Sequence, residues 1–217
     1  MLIAAAVCPH PPLLIPELAS GAAAELDELR SACAAAVDSL ASYDVLYVVG
    51  ADTHPHATSF APWGADVKVD VPEPLPLAVL VGAWLTRGRR RSFVAVDPSL
   101  DDAECRTLGA ELAASANQVA LLVMGDGSAR HDVKGPGYID PRAADYDGHV
   151  AAAFAAADWD GLDQPHADEL LVAGRAPWHV LAGAAKTVAT QARPAIEPSF
   201  SAPYGVGYHV AAWTWES

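Results

Sequence analysis

The 217-residue sequence predicts an α/β protein, with a three-layer α/β/α arrangement around a mostly parallel central sheet. Short apolar runs rich in Val and Leu alternate with longer alanine-rich segments, in the order strand, helix, strand, helix. The right-handed crossover between parallel strands then places helices on both faces of the sheet. No internal repeat or low-complexity linker divides the chain, so we expect a single domain over residues 1–217.

The first predicted elements are a strand, a long helix and a second strand. The prolines that follow the apolar run Leu2–Val7 limit it to the length of a strand. The segment Pro16–Ala41 is predicted to form one helix, and Asp44–Val49 the second strand. The helix prediction depends on apolar residues at spacings of three and four, namely Leu26, Leu29, Cys33, Val37 and Leu40.

The middle of the chain continues the alternation. Its predicted elements are a helix at Leu77–Leu85, a strand at Ser92–Val96, a helix at Asp101–Ser115 and a strand at Gln118–Met124. Acidic residues in the first turn of the predicted helix Asp101–Ser115 favour a helix start there, because the helix dipole stabilises negative charge. The basic cluster Arg87–Arg91 is interpreted as an anion site or, more commonly in an acidic chain, as a solvated turn.

The last third of the chain is predicted to contain two helices and a closing strand. A loop rich in Gly and Pro, Lys134–Pro141, precedes helices at Tyr146–Ala157 and Ala167–Ala185. The second of these helices is expected to be interrupted near Pro177. The alternating pattern of Val206–Trp215 predicts the closing strand.

The composition argues against several classes of partner and setting. Thirteen Lys and Arg against twenty-seven Asp and Glu give a net charge of -14, which disfavours nucleic acid and anionic membrane surfaces. No stretch reaches the ~18 consecutive apolar residues that a membrane span needs. Cys8, Cys33 and Cys105 form no CxxC pair, so neither a disulfide framework nor a zinc knot is indicated. A reduced cytoplasm is the expected setting, and the apolar content is compatible with a homo-oligomer.

Histidines follow three of the predicted buried strands. His10 lies after the first strand, His54 and His56 lie after the second, and His131 lies after the strand that ends at Met124. Because ligands bind beyond the carboxyl ends of strands in open α/β sheets, these loops are expected to share one crevice. Two imidazoles and a carboxylate with open coordination positions suit Fe(II). The pattern therefore predicts a divalent metal site.

Each histidine also has a simpler interpretation. His10 is flanked by prolines and equally fits a turn residue, only one of His54 and His56 is expected to be a ligand, and His131 is compatible with an exposed loop. Three further histidines fall within helix or strand patterns, which indicates packing or surface positions: His149, His179 and His209.

Several well-defined catalytic motifs are absent from the sequence. The loop Gly125–Ser128 is not a nucleophile elbow, because GxSxG does not occur. Asp126 and Ser128 within it are interpreted as turn-capping groups. The sequence also contains no GxxxxGK[ST], no GxGxxG after a strand and no HExxH. Phosphate-loop enzymes, dinucleotide-binding proteins and HExxH metalloproteases are therefore disfavoured.

Four motifs in this chain, taken in order, resemble those of one superfamily. CPHPPLL ends the first strand, VVGADTH the second and VMGDGSARH the strand at Met124, and APYGVGYHV lies near the last strand. Together they are similar to the LigB-like superfamily, which comprises the LigB-type subunits of class III extradiol ring-cleavage dioxygenases and the MEMO-like proteins. The similarity spans nearly the whole chain and implies a LigB-like form of the α/β fold, with residues 1–217 as one class III extradiol dioxygenase-like domain.

The resemblance implies a non-haem Fe(II) site, with Zn(II) or another divalent ion as the alternative metal. By position, His10 and His54 would be the imidazole ligands. Glu169 would be the third ligand, with Asp168 and His166 as alternates. A further family histidine acts as acid and base, and in this chain the residue that matches it is the histidine of the VMGDGSARH motif, His131.

The implied reaction is extradiol cleavage of a small catechol-type aromatic substrate by dioxygen. His131 would accept a proton from the substrate and later donate one, which an imidazole can do near neutral pH. A non-catalytic MEMO-like metal-binding or interaction protein of the same fold is the alternative hypothesis. A zinc hydrolase that uses the same ligands is the third.

Overall fold

A computed structural model describes residues 1–40, 42–133 and 135–216. In chain order the strands are β1 (Leu2–Cys8), β2 (Val45–Ala51), β3 (His56–Ala57), β4 (Leu75–Pro76), β5 (Ser92–Val96), β6 (Val119–Met124), β7 (Arg193–Pro194), β8 (Ser199–Ser201) and β9 (Tyr208–Thr214). The helices are α1 (Pro16–Ala19), α2 (Asp27–Asp38), α3 (Leu77–Leu85), α4 (Asp102–Ala114), α5 (Arg142–Ala156) and α6 (Arg175–Ala185).

The central sheet has the strand order β5-β2-β6-β1-β9-β7, and β8 also pairs with β9. Strands β1, β2, β5 and β6 run parallel to one another, whereas β9 runs antiparallel to β1. The prediction of a mixed α/β protein with a mostly parallel central sheet is therefore confirmed. Because β9 is antiparallel, its first residues lie at the edge of the sheet where the parallel strands end.

Apolar side chains fill both faces of the sheet. Val7 of β1 belongs to one core, together with Phe154 of α5 and residues of α4 and α6. The neighbouring Ala6 belongs to the other core, together with Leu80 of α3 and residues of α2. This alternation follows from the two-residue period of a strand and places helices on both sides of the sheet. No helix among the described residues combines the length and the hydropathy needed to cross a bilayer.

The predicted helix Pro16–Ala41 is wrong as a single element. One α-helical turn, α1, is followed by a 3-10 segment at Ser20–Leu26, and the regular helix begins only at Asp27. Gly21 lies in the 3-10 segment, and glycine disfavours the α-helix because it loses more backbone entropy than other residues. Ala41 lies outside the described residues.

The predicted helix Ala167–Ala185 begins later than expected, at Arg175. The residues before it form consecutive turns up to Gly174. The expected interruption near Pro177 is also wrong, because this proline is the third residue of the helix. In the first turn its missing N–H has no helical partner to lose, so proline is tolerated there.

Two helix starts are determined by local side-chain chemistry. The Asp101 carboxylate accepts the backbone N–H of Glu104 at 2.8 Å, and the Glu104 carboxylate accepts the N–H of Asp101 at 2.9 Å. This capping box begins α4 within one residue of the prediction. Helix α5 begins at Arg142, directly after Pro141, rather than at Tyr146. The fixed φ of proline favours a helix start at that point.

Helices α4 and α6 pack closely because each presents a glycine to the other. A Cβ atom at Gly109 would lie 1.9 Å from the carbonyl oxygen of Val180. A Cβ atom at Gly183 would lie 2.0 Å from the carbonyl oxygen of Arg106. Neither position accepts a larger residue unless the helices separate.

The Gly109→Ala variant is expected to lose about 3 kcal/mol of unfolding free energy, because the added methyl group forces α4 away from α6. Urea denaturation followed by circular dichroism measures this loss. Gly148→Ala on α5 is the matched control: a Cβ there meets nothing within 4 Å. It should gain up to about 1 kcal/mol from the higher helix propensity of alanine. Equal denaturation midpoints for the two variants would contradict the packing argument.

Candidate functional site

The carboxyl ends of β1, β2 and β6 lie at one edge of the sheet, and β9 begins at the same edge. The loops after the three parallel strands carry His10, His54 and the segment Asp126–His131. Strand β9 opens with Tyr208 and His209. Because β6 lies between β1 and β2, the ends of these two strands are about 10 Å apart, or two strand spacings. The candidate site is built at this carboxyl edge.

Three side chains at the carboxyl edge, Asp147, His131 and His209, form a hydrogen-bonded group that we call the Asp147 cluster. His131 Nε2 lies 2.5 Å from Asp147 Oδ2, and His209 Nε2 lies 3.0 Å from Asp147 Oδ1. The backbone N–H of Ser128 also donates to Oδ2, at 3.0 Å. Asp147 is fully buried. Both of its oxygens accept hydrogen bonds, as a carboxylate removed from water requires.

Two glycines allow the backbone to close around Asp147. A Cβ atom at Gly127 would lie 2.2 Å from Asp147 Oδ1, and one at Gly207 would lie 2.3 Å from Oδ2. The two loops are also joined directly, since Gly127 N–H donates to the Gly207 carbonyl at 2.7 Å and Gly207 N–H donates to the Ser128 carbonyl at 2.8 Å. The GDGS and YGVGYH segments therefore form the backbone enclosure of this carboxylate.

Aromatic rings surround His209, the more deeply buried imidazole of the Asp147 cluster. The ring centroids of Phe200 and His209 are 4.7 Å apart, and Phe154 and Trp178 contact the same imidazole edge-on. His209 is almost completely buried, whereas the side chain of His131 keeps 12% exposure. His131 is thus the imidazole of the cluster that a ligand from solvent can reach.

His10 and Asp126 lie beside this cluster and are joined to each other. The backbone N–H of His10 donates to Asp126 Oδ1 at 2.7 Å, and His10 Nδ1 lies 3.5 Å from the same oxygen. His10 Nδ1 is buried and has no hydrogen-bond partner among the described residues. Burial raises the pKa of Asp126, and the proximity of His10 and His209 opposes this effect. Burial, with the Asp126 carboxylate nearby, also raises the pKa of Tyr208.

His54 is exposed at the end of β2. Its ring stacks on that of His56, with centroids 4.7 Å apart. His56 in turn lies with Nε2 2.6 Å from Asp52 Oδ1. His54 therefore lies at the predicted edge of the sheet but is separated from β1 by β6.

Glu169, the predicted third ligand, is exposed and already carries two partners. Arg142 Nη1 lies 2.8 Å from its Oε2, and His166 Nδ1 lies 3.0 Å from its Oε1. These hydrogen bonds, that from His166 first, lower the pKa of Glu169. The alternate ligand Asp168 has a side chain that is 97% exposed. The segment does approach the site, because the carbonyl of Leu170 accepts the hydroxyl of Ser128 at 3.0 Å.

The predicted ligands do not form one cluster of ligand atoms in this structure. Over residues 1–40, 42–133 and 135–216, a single group of three or more His, Cys, Asp or Glu side chains has ligand atoms within 4.8 Å of one another. That group consists of Asp102, Asp163 and His179, and it could hold a metal ion. The structure thus places both His10 and His131 at the carboxyl edge, next to Asp126 and Asp147 respectively. It brings neither His54 nor Glu169 into contact with them.

The Asp102–Asp163–His179 group also contacts two arginines. Arg175 Nη1 lies 2.7 Å from Asp102 Oδ1, and Arg106 Nη2 contacts Asp163. His179 is 2% exposed between the two carboxylates, with nitrogen–oxygen distances of 3.3 and 3.5 Å. A metal ion would have to compete with the two guanidinium groups for these carboxylates.

Acidification is expected to destabilise the protein through His179. Burial lowers the pKa of His179 because it disfavours the charged imidazolium. The unfolded chain therefore binds more protons than the folded chain below about pH 6.5, and stability falls by at most about 1.4 kcal/mol per pH unit for this group. Urea denaturation from pH 7 to pH 5 should show a shallower pH dependence for His179→Gln than for wild type.

The matched control for this pH prediction is His149→Gln, a substitution of an exposed histidine on α5. It should keep the wild-type dependence on pH. A His179→Gln variant with the same slope as wild type would show that protonation of this buried imidazole does not limit stability in acid.

Sequence reasoning missed Asp147 and interpreted His209 as a packing or surface residue. A signal for Asp147 exists in the sequence of α5. It occupies the same helical face as Ala143, Val150 and Phe154, all of which are buried. A lone carboxylate on an apolar helix face requires a buried partner, and here the partners come from elements distant in sequence.

Comparisons with known proteins add a fold relationship. No protein-family model matches the chain, and no curated protein matches it in sequence. Among solved structures, the chain is similar to an uncharacterized protein of Escherichia coli K12, JW3007. The TM-score is 0.53 at 14% identity, and the alignment covers 97% of this chain and 99% of that chain. At this identity the similarity establishes a shared fold alone.

Proposed function

We propose that this chain is an extradiol-type dioxygenase that acts on a small catechol-type phenolic at the carboxyl edge of the sheet. The observation that carries the proposal is the hydrogen bond between His131 and the buried Asp147, next to His10. A histidine oriented by a buried carboxylate is a common arrangement for general acid–base catalysis. A catechol must lose a phenolic proton before its ring is opened, so the reaction needs such a group.

The hydrogen bond determines how His131 would act. Because Nε2 donates to the Asp147 carboxylate, the neutral ring carries its proton on Nε2 and leaves Nδ1 as the acceptor. Nδ1 takes the proton of the substrate hydroxyl, and the carboxylate stabilises the imidazolium that results. His209 donates to the other carboxylate oxygen and keeps Asp147 in position. Proton transfer is thus assigned to His131, and orientation to Asp147 and His209.

The donors at this edge fit a divalent metal ion in their chemistry. His10 offers a buried Nδ1 with no hydrogen-bond partner among the described residues. Asp126 lies 3.5 Å from that nitrogen, so we propose it as the carboxylate ligand in place of Glu169, with His10 as its imidazole partner. His54 would have to approach across the end of β6 to act as the second imidazole. Fe(II) bound by these residues would supply the electron transfer to dioxygen that side chains alone cannot provide.

Oxygen uptake by the iron-loaded protein tests the proposal. The purified chain is loaded with Fe(II) under anaerobic conditions and mixed with aerated catechols, and oxygen consumption is recorded with the absorbance of the ring-opened product. We expect turnover by wild type, no turnover by His10→Ala and unchanged turnover by His149→Ala, which removes an exposed imidazole. Wild-type protein that retains iron and consumes no oxygen with any catechol would refute dioxygenase activity.

A non-catalytic metal-binding or interaction protein is the second candidate. It is favoured by the position of Glu169, which is paired with Arg142 and His166, and by the clustering of ligand atoms at His179 instead. Metal content distinguishes the two candidates. The dioxygenase proposal requires that His10→Ala lose bound metal and His179→Ala keep it, whereas the reverse result favours the second candidate.

A further inference from the structure

We propose that a cleft near the amino ends of the parallel strands, away from the carboxyl edge, binds a small aromatic phosphate. This cleft, which we call the Trp84 cleft, has a volume of about 540 Å³ and lies between α2 and α3. Its lining includes Arg30, Val37, Asp38, Trp84, Arg87 and Arg89. The proposal goes beyond the dioxygenase function and uses none of its residues.

The charge of the Trp84 cleft has the opposite sign to that of the whole chain. Three arginines and one aspartate line it, in a protein whose net charge is -14. Arg87 is exposed and makes no ion pair with a carboxylate of residues 1–40, 42–133 or 135–216, while its Nη1 donates to the carbonyl of Trp84 at 3.0 Å. Arg30 pairs with Asp27 at 2.9 Å and Arg89 with Asp38 at 2.7 Å, so the charge of Arg87 is the surplus. This charge attracts a phosphate monoester, which carries about -1.5 to -2 at neutral pH.

The other two arginines are each held in place by backbone carbonyls and one carboxylate, that of Asp38 for Arg89 and that of Asp27 for Arg30. Arg89 donates to the carbonyl of Leu40 at 3.1 Å and to Asp38 Oδ1 at 2.7 Å. Arg30 donates to the carbonyls of Leu14 and Leu13, at 2.8 and 2.9 Å. A guanidinium fixed in this way has lost its conformational entropy before a ligand arrives. Arg89 keeps further N–H donors on the same planar group for a phosphate oxygen.

The apolar part of the Trp84 cleft selects a ligand with an aromatic body. The Trp84 ring is half-buried, and the guanidinium of Arg87 lies 4.4 Å from its centroid. Val37 and Leu85 complete the apolar wall. A second aromatic ring can pack against the Trp84–Arg87 pair, where stacking and cation–π attraction add to the phosphate contacts. Inorganic phosphate would use only the arginines.

The Trp84 cleft lies near the amino ends of the parallel strands, whereas the candidate site lies at their carboxyl ends. The basic cluster Arg87–Arg91 directly precedes β5, at its amino end. The five residues of β5 separate it from the carboxyl edge by roughly 16 Å. Binding in the Trp84 cleft can therefore be measured independently of any catalytic activity.

Isothermal titration of the intact chain with AMP and phenyl phosphate tests this proposal. We expect both probes to bind at physiological salt, and both to bind more tightly than inorganic phosphate or adenosine. Arg87→Ala should weaken both at least tenfold. Arg193→Ala, which removes an exposed arginine at β7, should leave both unchanged. Trp84→Phe should weaken the aromatic probes and leave inorganic phosphate unaffected.

Three results would overturn the proposal. These are no binding of either aromatic phosphate, equal affinity for inorganic phosphate and the aromatic probes, or affinities that Arg87→Ala does not change. Circular dichroism of each variant establishes that it is folded, and the exposed position of Arg87 makes its substitution compatible with folding.

Discussion

Under the proposed dioxygenase function, the His131→Gln variant is expected to keep its metal and its substrate affinity but to turn over about 10²–10⁴-fold more slowly than wild type. Glutamine can still hydrogen-bond to Asp147, yet it has no nitrogen that can accept a proton at neutral pH. Because proton transfer belongs to the transition state, kcat should fall far more than KM rises. Steady-state oxygen consumption by iron-loaded protein over a range of catechol concentrations measures both constants.

The control for this prediction is His149→Gln, which should retain wild-type kinetics because His149 is exposed on α5 and hydrogen-bonds only to the carbonyl of Asp145. The pH–rate profile gives a second readout: His131→Gln should lose the limb that reports the acid–base group. Wild-type kcat in His131→Gln would exclude this histidine from proton transfer.

The Asp147→Ala variant is expected to lose about 3–5 kcal/mol of unfolding free energy. Asp147 accepts hydrogen bonds from Ser128, His131 and His209 in a region without access to water. Alanine leaves those three donors without an acceptor, and each buried unsatisfied group costs about 1–3 kcal/mol. Urea denaturation at pH 7 measures the loss, and differential scanning calorimetry should show a lower Tm.

Asp145→Ala provides the matched control on the same helix. Asp145 is exposed in the first turn of α5, where its charge favours the helix dipole by no more than about 1 kcal/mol. Asp147→Asn separates packing from charge, because the amide keeps one acceptor oxygen and should lose less stability than alanine does. If Asp145→Ala and Asp147→Ala were equally stable, the Asp147 cluster would have no structural role.

The five long strands β1, β2, β5, β6 and β9 could be predicted from the sequence nearly to their ends, whereas the two- and three-residue strands β3, β4, β7 and β8 were not predicted. The apolar run predicted at Leu2–Val7 forms β1, and Gln118–Met124 forms β6 from Val119 onward. A buried strand of a parallel sheet is apolar on both faces, so its signal is continuous and local. Turn residues such as Pro9 and Gly125 then limit each run.

Helix starts were harder to predict because alanine and leucine suit both a helix and the turns beside it. The segment before Arg175 contains Ala167 and Leu170, whose spacing resembles an amphipathic helix. Their side chains are buried in the structure, but as parts of turns that pack on the loop after β6. Tertiary packing, rather than helical propensity, determines the conformation of this segment.

Some residues of the candidate site could be predicted from the local sequence, whereas others reach the site only through tertiary structure. His10 and His131 lie in the loops that follow β1 and β6, so the parallel sheet places them at one edge, and this position could be predicted. Asp147 and His209 reach the same place from α5 and from an antiparallel strand. The direction of β9 is not encoded in its own alternating pattern, and so its histidine was interpreted as a packing or surface residue.

The antiparallel pairing of β9 with β1 also has a consequence for the time course of folding. Ala4 pairs with Thr214, so the contact joins segments that are far apart in the sequence. Contacts of this range form slowly because the loop between them must close first. Until β9 docks, Asp147 lacks the imidazole of His209 and the backbone of Gly207. We therefore expect the Asp147 cluster to form in the last long-range phase of refolding rather than with collapse of the parallel strands.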